Sequence, residues 1–372
     1  MDNLKNIPIE NKMSIKIIGI GGGGCNAIKR LVKREEDFKG MEFWAANTDA
    51  ISLNDTISED SNINIIQLGA KMTKGNGAGS KPEVGKEATE ETIDIIEKAI
   101  GDASLLFITA GMGGGTGTGG APVIARIAHE KQILTIGVVT LPFDYEGANR
   151  MRIANDGIAE MRKYVDIMIV VSNQKAFELC KSDTPMQSIF EKADDVLVNS
   201  IKGITDIIVN HSLINPDFAD ISTVIKGKKT AHIGIGTATG ENRMFKALRM
   251  ACNNELLNTT IENAKNIIIN IVADNELSGE EVNKALMLIP KVVANDAMII
   301  HGLGFDKGMK NKVCVTIIAT GLDGEDNDGF EFESQDTNEL IEQIENESSN
   351  INNINTAVNS FDEFIKKLQE KK

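Results

Sequence analysis

The chain has 372 residues, 41% of them hydrophobic, which is enough to build the cores of two domains. Its formal net charge of −15 is uneven: residues 323–372 hold fourteen acids and four lysines, a balance of −10, which leaves −5 on residues 1–322, so neither part offers the basic stripe of a nucleic-acid binder. Four scattered cysteines (Cys25, Cys180, Cys252, Cys314) and four scattered histidines argue against a zinc site, and no signal-peptide core or membrane-length apolar run is present, so a cytoplasmic protein with reduced thiols is expected.

Taken in chain order, the first half alternates short Ile- and Val-rich runs with amphipathic stretches. Strands are predicted at Ile15–Ile20, Glu42–Asn47, Ile63–Leu68, Ser104–Ala110, Leu134–Leu141 and Asp166–Val171. Their scant polar alternation suits strands covered on both faces. Helices are predicted near Asn26–Lys33, Glu83–Ile100, Ala121–Lys131 and Asn149–Tyr164. This alternation predicts an α/β domain with a parallel sheet. A long helix follows near Met186–Asn210, with Ile189, Phe190, Ala193, Val196, Leu197, Ile201, Ile204 and Ile208 mostly three or four apart. Strands at Ala231–Ile235, Ile267–Ala273, Met298–Gly302 and Val313–Ala319, with helices near Glu241–Glu255 and Gly279–Pro290, predict a smaller second α/β domain. Residues 323–355 are acidic, rich in Asn and Ser and poor in anchors, the composition of a disordered linker.

Three glycine clusters each follow a predicted strand and precede a helix. The first is Gly19-Ile20-Gly21-Gly22-Gly23-Gly24-Cys25-Asn26-Ala27. Glycine lets backbone approach a phosphate, and the following helix N-terminus adds partial positive charge. By itself this loop is ambiguous. Gly19, Gly21 and Gly24 also satisfy the dinucleotide fingerprint G-x-G-x-x-G, with Asp49 near the place of a ribose-binding acid, as in an NAD-dependent dehydrogenase. The second cluster, Gly113-Gly114-Gly115-Thr116-Gly117-Thr118-Gly119-Gly120, is a second anion cradle with two added hydroxyls. The third spans Thr73-Lys74-Gly75-Asn76-Gly77-Ala78-Gly79. Two rich cradles suit a nucleoside triphosphate better than a dinucleotide, and no Walker lysine motif occurs, so backbone N–H groups and Mg²⁺ must meet the phosphate charge.

Gly113–Gly119 resembles the tubulin-superfamily signature, and Gly19–Ala27 with Asn47-Thr48-Asp49-Ala50 resembles the FtsZ family in particular. Further matches are Gly77-Ala78-Gly79 with Pro82-Glu83-Val84-Gly85, Pro142–Gly147 with Arg150-Met151, and Asn215-Pro216-Asp217-Phe218-Ala219-Asp220. The resemblance covers about residues 14–322. It implies a Rossmann-like, parallel-sheet GTP-binding domain (14–185), a central connecting helix (186–214), a smaller α/β polymerisation domain (215–322), a disordered acidic linker (323–355) and a partner-binding peptide (356–372).

The resemblance further implies GTP or GDP with Mg²⁺ as ligands. Gly21, Gly22, Gly23, Gly24, Cys25, Asn26, Ala78, Gly79, Gly113, Gly114, Gly115, Thr116, Gly117, Thr118 and Gly119 would hold the phosphates, and Glu146, Arg150 and Asn173 would contact sugar or phosphates. Phe190 and Asp194, one helical turn apart, would stack on the base and accept the N1 and N2 protons of guanine, which adenine lacks. Core packing of Phe190 and a surface ion pair for Glu146 and Arg150 are the plainer readings.

No acid stands in the glycine loops to orient a water. Asp217 and Asp220 lie beyond the long helix, roughly 35 Å along its axis. The resemblance implies that Asn215, Asp217 and Asp220 serve the nucleotide of the next subunit, so that head-to-tail assembly completes the site. The alternative is a turn in which Asp217 caps the following helix. The stretch Phe361, Phe364, Ile365, Lys366, Lys367 loosely resembles the family's tail peptide, implying an FtsA-like or SepF-like membrane adaptor and no direct membrane insertion; Asp362 replaces its usual proline. The expected role is a filament at the midcell division site, the alternative a structural filament paralogue.

Overall fold

The computed structural model describes residues 13–56, 62–181, 183–209, 213–214, 216–254, 257 and 259–322. The linker 323–355, the peptide 356–372 and Asn215 therefore lie outside the described residues.

The first half runs β1 (Ile15–Ile20), α1 (Gly21–Lys33), β2 (Glu42–Asn47), α2 (Ala50–Asn54), β3 (Ile63–Gln67), α3 (Ala70–Thr73), α4 (Pro82–Glu91), α5 (Ile93–Ile100), β4 (Leu105–Gly111), α6 (Thr116–Glu130), β5 (Leu134–Leu141), α7 (Ala148–Arg162), β6 (Ile167–Ser172) and α8 (Asn173–Glu178). The second half continues with α9 (Met186–Val209), α10 (Phe218–Ile225), β7 (Lys229–Thr239), α11 (Arg243–Cys252), β8 (Asn266–Ala273), α12 (Gly279–Leu286), β9 (Met298–Phe305) and β10 (Lys312–Thr320).

The strands order as β3-β2-β1-β4-β5-β6-β7-β10-β8-β9. The first six are all parallel, in the doubly wound order that places ligands at the carboxyl edge. β6 and β7 share only two residue pairs, Ile167 with Lys229 and Met168 with Thr230. Beyond that seam β10 runs antiparallel to β7 and to β8, and β9 is parallel to β8. The fold is thus a parallel α/β half joined to a smaller mixed α/β half.

Strand periodicity explains the layers. On β1, Ile17 enters one core with Ile28 and Leu31 of α1 and Leu197, Ile201 and Ile204 of α9, while Ile18 enters another with Ala121 and Ile124 of α6. The first core continues into Ile233, Ile268 and Ile318, so α9 is packed against both halves. A third core joins α11 and α12 to the second sheet, through Leu248, Ile269 and Val315.

Several predicted boundaries shift: β7 spans Lys229–Thr239 rather than Ala231–Ile235, and β9 runs on to Phe305. α1 and α6 begin inside their glycine clusters, at Gly21 and Thr116 rather than Asn26 and Ala121. The predicted helix Glu83–Ile100 divides at Thr92, whose φ of −106° and ψ of 10° leave the helical region. Thr92 there donates its hydroxyl to the Ala88 carbonyl (3.0 Å) and accepts from Gly69 N (3.0 Å).

Candidate functional site

β1 passes into α1 without an intervening residue, and Gly21 makes the bend with φ +71°. A Cβ at Gly21 would lie 2.9 Å from Gly117 N, so the starts of α1 and α6 touch. Neither helix has a side-chain cap or an acid in its first turn. The first-turn N–H groups, normally satisfied by such a cap, are left for an anion.

The glycines divide by what surrounds them. Gly22, Gly79 and Gly114 have open space where a Cβ would stand. Gly22, Gly23 and Asn26 are exposed on the carboxyl edge of the sheet. Gly24, Gly115 and Gly117 instead permit close packing: a Cβ would come 2.5 Å from Thr109 O, 2.8 Å from Ala78 Cβ and 2.7 Å from Gly111 O respectively. Gly119 lies against the Pro82 carbonyl. Gly113, at φ +98°, sits against the Arg150 side chain, 2.8 Å from Cγ to a notional Cβ. The signature therefore builds a loop as well as a binding face.

Three predicted site residues are turned differently from expectation. Thr118 accepts from Gly113 N (2.9 Å) and braces the loop from within. Thr116 shares a hydrogen bond of 2.6 Å with Thr48. The Cys25 thiol is buried against the Ala46 carbonyl, and burial pushes its pKa up to about 11. The thiol is thus turned away from the cradle and stays protonated at neutral pH.

The loops after β2 and β3 are knitted together beside this cradle. Gly77 N donates to Thr48 O (3.2 Å), Ala50 N to Gly75 O (3.1 Å) and the Thr73 hydroxyl to Thr48 O (3.3 Å). Asp49 caps α2 by accepting from Ser52 N at 3.0 Å. One oxygen of this carboxylate is thereby committed to the turn.

After β5, Glu146 is held on both oxygens, by Phe143 N (2.8 Å) and by Arg150 Nη1 (2.9 Å). The Arg150 side chain is half exposed, and its Cγ lies against Gly113. Asn173 opens α8 at the end of β6, where Ser172 caps the helix through Lys175 N (3.2 Å). Phe190, 42% exposed, meets Phe143 edge to face at 5.1 Å, and Phe143 stacks on Tyr145 at 5.1 Å. An exposed ring on an aromatic support can stack further. Asp194, one turn on, binds Arg30 Nε of α1 at 2.7 Å. Burial raises the Asp194 pKa to about 6, against the opposing pull of Arg30. Arg30, Thr48, Phe143 and Tyr145 were missing from the sequence-predicted set. Thr48 lay in a quoted motif, whereas nothing in the local spacing marks Arg30.

Asp217 and Asp220 stand apart from all of this. From Phe190 to the end of α9 the helix advances roughly 29 Å at its usual rise. α10 then leads to Lys229, paired with Ile167 at the amino edge of the parallel sheet, opposite the glycine loops. Asp217 accepts from Asp220 N (2.7 Å), and Asp220 accepts from Asp217 N (3.4 Å), a reciprocal cap on α10. Both side chains remain exposed.

Residues 14–181 match the GTPase domain of the Tubulin/FtsZ family, and residues 229–323 the C-terminal domain of the FtsZ family. The chain is 44% identical over 326 residues to a cell division protein FtsZ of Wolbachia sp, covering 84% of this chain and 80% of that protein. The chain belongs to the FtsZ family. Among solved structures, an empty FtsZ dimer of M. jannaschii shares 38% identity at a TM-score of 0.75, covering 84% of this chain and 89% of that one. CetZ1 of Haloferax volcanii, in a GDP-bound monomer, shares the fold at 22% identity and a TM-score of 0.71, covering 84% of this chain and 95% of that one. The family places this chain in the tubulin superfamily, and the two uncapped helix starts coincide with its GTPase domain.

Proposed function

We propose that this FtsZ-family chain is a cytoplasmic cell-division GTPase that assembles head to tail into filaments at midcell and hydrolyses GTP only where two subunits meet. The carrying observation is the separation within one chain between an anion cradle without an acid and an exposed acidic pair without a cradle. Residues 14–185 would bind the nucleotide, α9 would set the spacing, and residues 215–322 would present the acids to the next subunit.

The open faces at Gly22, Gly79 and Gly114 fit a triphosphate, with helix starts supplying positive potential. Arg150 is placed to reach phosphate or sugar, Phe190 to stack on the base, and Asp194 to accept two guanine protons. Among the described residues no cluster of three or more His, Cys, Asp or Glu is arranged for a metal ion. The hydroxyl at hand is that of half-buried Thr116, held from behind by the buried Thr48 at 2.6 Å, and Mg²⁺ accepts such partial ligation because it keeps water and phosphate oxygens. When bound, Mg²⁺ would neutralise phosphate charge. The incoming Asp217 and Asp220 would orient the attacking water and take up its proton. An FtsA-like or SepF-like adaptor would hold residues 356–372; among the described residues, no helix is long and apolar enough to cross a membrane.

Sedimentation with GTP and with GDP, with phosphate release measured in the same tubes across a dilution series, tests this reading. Polymer is expected with GTP, and turnover per subunit is expected to vanish below the assembly concentration. Turnover that stays constant per subunit at every dilution overturns the shared site.

A further inference from the structure

The point where the described chain ends is unusually rich in lysine. Thr320, the last residue of β10, donates its hydroxyl to the Val224 carbonyl near the end of α10 (2.8 Å). Its own carbonyl accepts from Lys265 N (3.1 Å), and Gly321 lies against the Lys265 side chain. Lys226 and Lys228 follow Val224 within four residues, and Lys229 begins β7 beside them. Lys226 and Lys265 are exposed and Lys228 is half buried. None of these three makes an ion pair among the described residues. Lys229 reaches across to the carbonyls of Lys163 (3.1 Å) and Val165 (3.3 Å).

Two acids of this neighbourhood are engaged. Asp166 accepts from Gly227 N (3.1 Å) and Thr135 N (2.8 Å), and Glu160 pairs with Lys163 (2.5 Å). Glu262, three residues before Lys265, and the exposed Asp296, between Ala294 and Met298 that donate to the Ala264 and Lys265 carbonyls (3.1 and 2.9 Å), stand beside the lysines, so that the three lysines still outnumber them. On a body whose balance is −5, a patch with three unpaired lysines is a local exception. Directly after it, residues 323–347 carry eleven acids and no lysine or arginine.

We infer that the acidic segment 323–347 docks on the Lys226, Lys228 and Lys265 patch of its own subunit. Chain connectivity holds this polyanion close to the patch, where effective concentration is high. Attraction over such distances acts within about 8–10 Å at ordinary salt and is screened above it. The contact is independent of nucleotide chemistry. Its consequence does rest on the assembly proposed above: α10 spans about 12 Å, so the docked segment lies on the pole that carries Asp217 and Asp220 and competes with the incoming subunit.

Zero-length carbodiimide cross-linking of the full chain, dilute and with GDP, reads the contact directly by mass spectrometry. Tethering alone would link the acids to Lys265, so the deciding variant is Lys226→Gln with Lys228→Gln, read at the untouched Lys265. Docking predicts a severalfold loss of links at Lys265 in that variant, with its melting temperature unchanged. It predicts a similar loss in the wild type between about 0.05 M and about 0.5 M salt. Links at Lys265 that respond to neither change overturn the inference. Links found only between isotopically labelled and unlabelled subunits also overturn it, by placing the segment on a neighbour.

Discussion

Gly22 and Gly24 stand two positions apart in one helical turn and answer to different demands. A methyl at Gly22 would enter open space at the cradle, while at Gly24 it would strike the Thr109 carbonyl at 2.5 Å. Gly22→Ala is therefore expected to change stability by less than about 1 kcal/mol, yet to weaken GTP binding by tenfold or more, in the range a displaced charged hydrogen bond gives. Gly24→Ala is expected to lower the melting temperature itself. Thermal melts beside nucleotide titrations distinguish the two, and equal effects would refute the division. Asp194 makes a pH prediction. Its folded pKa of about 6 lies above the ordinary 3.8, so the folded chain holds this proton more tightly than the unfolded chain. Its contribution to stability thus declines as pH rises from 3.8 to about 6, and the penalty is complete at neutral pH. On the proposed reading, Asp194 accepts the guanine protons in its ionised form. GTP affinity is expected to fall as pH drops through about 6, and Asp194→Asn is expected to bind weakly without that step while melting higher than wild type at neutral pH. The spacing of Phe190 and Asp194 was readable because helical periodicity is local. Arg30 was not, because its partner lies on a helix more than 160 residues away, and a lone arginine on an amphipathic helix reads as solvent-facing.

At the level of elements, α10 shows why a plain reading and a functional one can both hold. Asp217 forms the cap that the sequence offered as the alternative to catalysis, and the Asp220 side chain completes it as a reciprocal capping box. Capping consumes one oxygen of each carboxylate through a backbone N–H, and leaves the acids exposed and oriented by the helix start. The two roles separate in Asp217→Ser. Serine caps nearly as well as aspartate, so α10 and the melting temperature are expected to survive within about 0.5 kcal/mol, whereas phosphate release at saturating GTP is expected to fall at least tenfold. Retained turnover in that variant would reduce Asp217 to a cap. The same scale shows where sequence reading lost precision. The α1 and α6 starts were placed too late because glycine disfavours helix by about 1 kcal/mol per residue. Packing overrides that preference, since only glycine lets α1 and α6 touch each other and β4. The break at Thr92 was equally hidden, because the apolar period runs through it and only the contacts with Gly69 and Ala88 reveal it.

Over the whole molecule, the parallel half was legible because uninterrupted apolar strands alternating with helices leave few topologies. The antiparallel placement of β10 between β7 and β8 was not, because strand order depends on pairings distant in sequence. The halves meet through two β6–β7 residue pairs and through α9, which shares a core with both. That connection sets the distance between cradle and acids, and on the proposed reading it leaves the one-chain site incomplete. A mixing experiment decides it. At a GTP concentration near the wild-type Kd, Gly22→Ala keeps its acidic turn and leaves its cradle mostly empty; Asp220→Ala keeps its cradle and has lost an acid. Each alone is expected to release little phosphate. In an equal, randomly ordered copolymer, about one interface in four joins an intact cradle to an intact acidic turn, the consequence of a head-to-tail contact between unlike surfaces. Phosphate release is therefore expected to recover to about a quarter of the wild-type rate, with a bell-shaped dependence on the mixing ratio. A mixture no faster than the sum of its separate components would mean that cradle and acids need not come from different chains, and the shared site would fall with it.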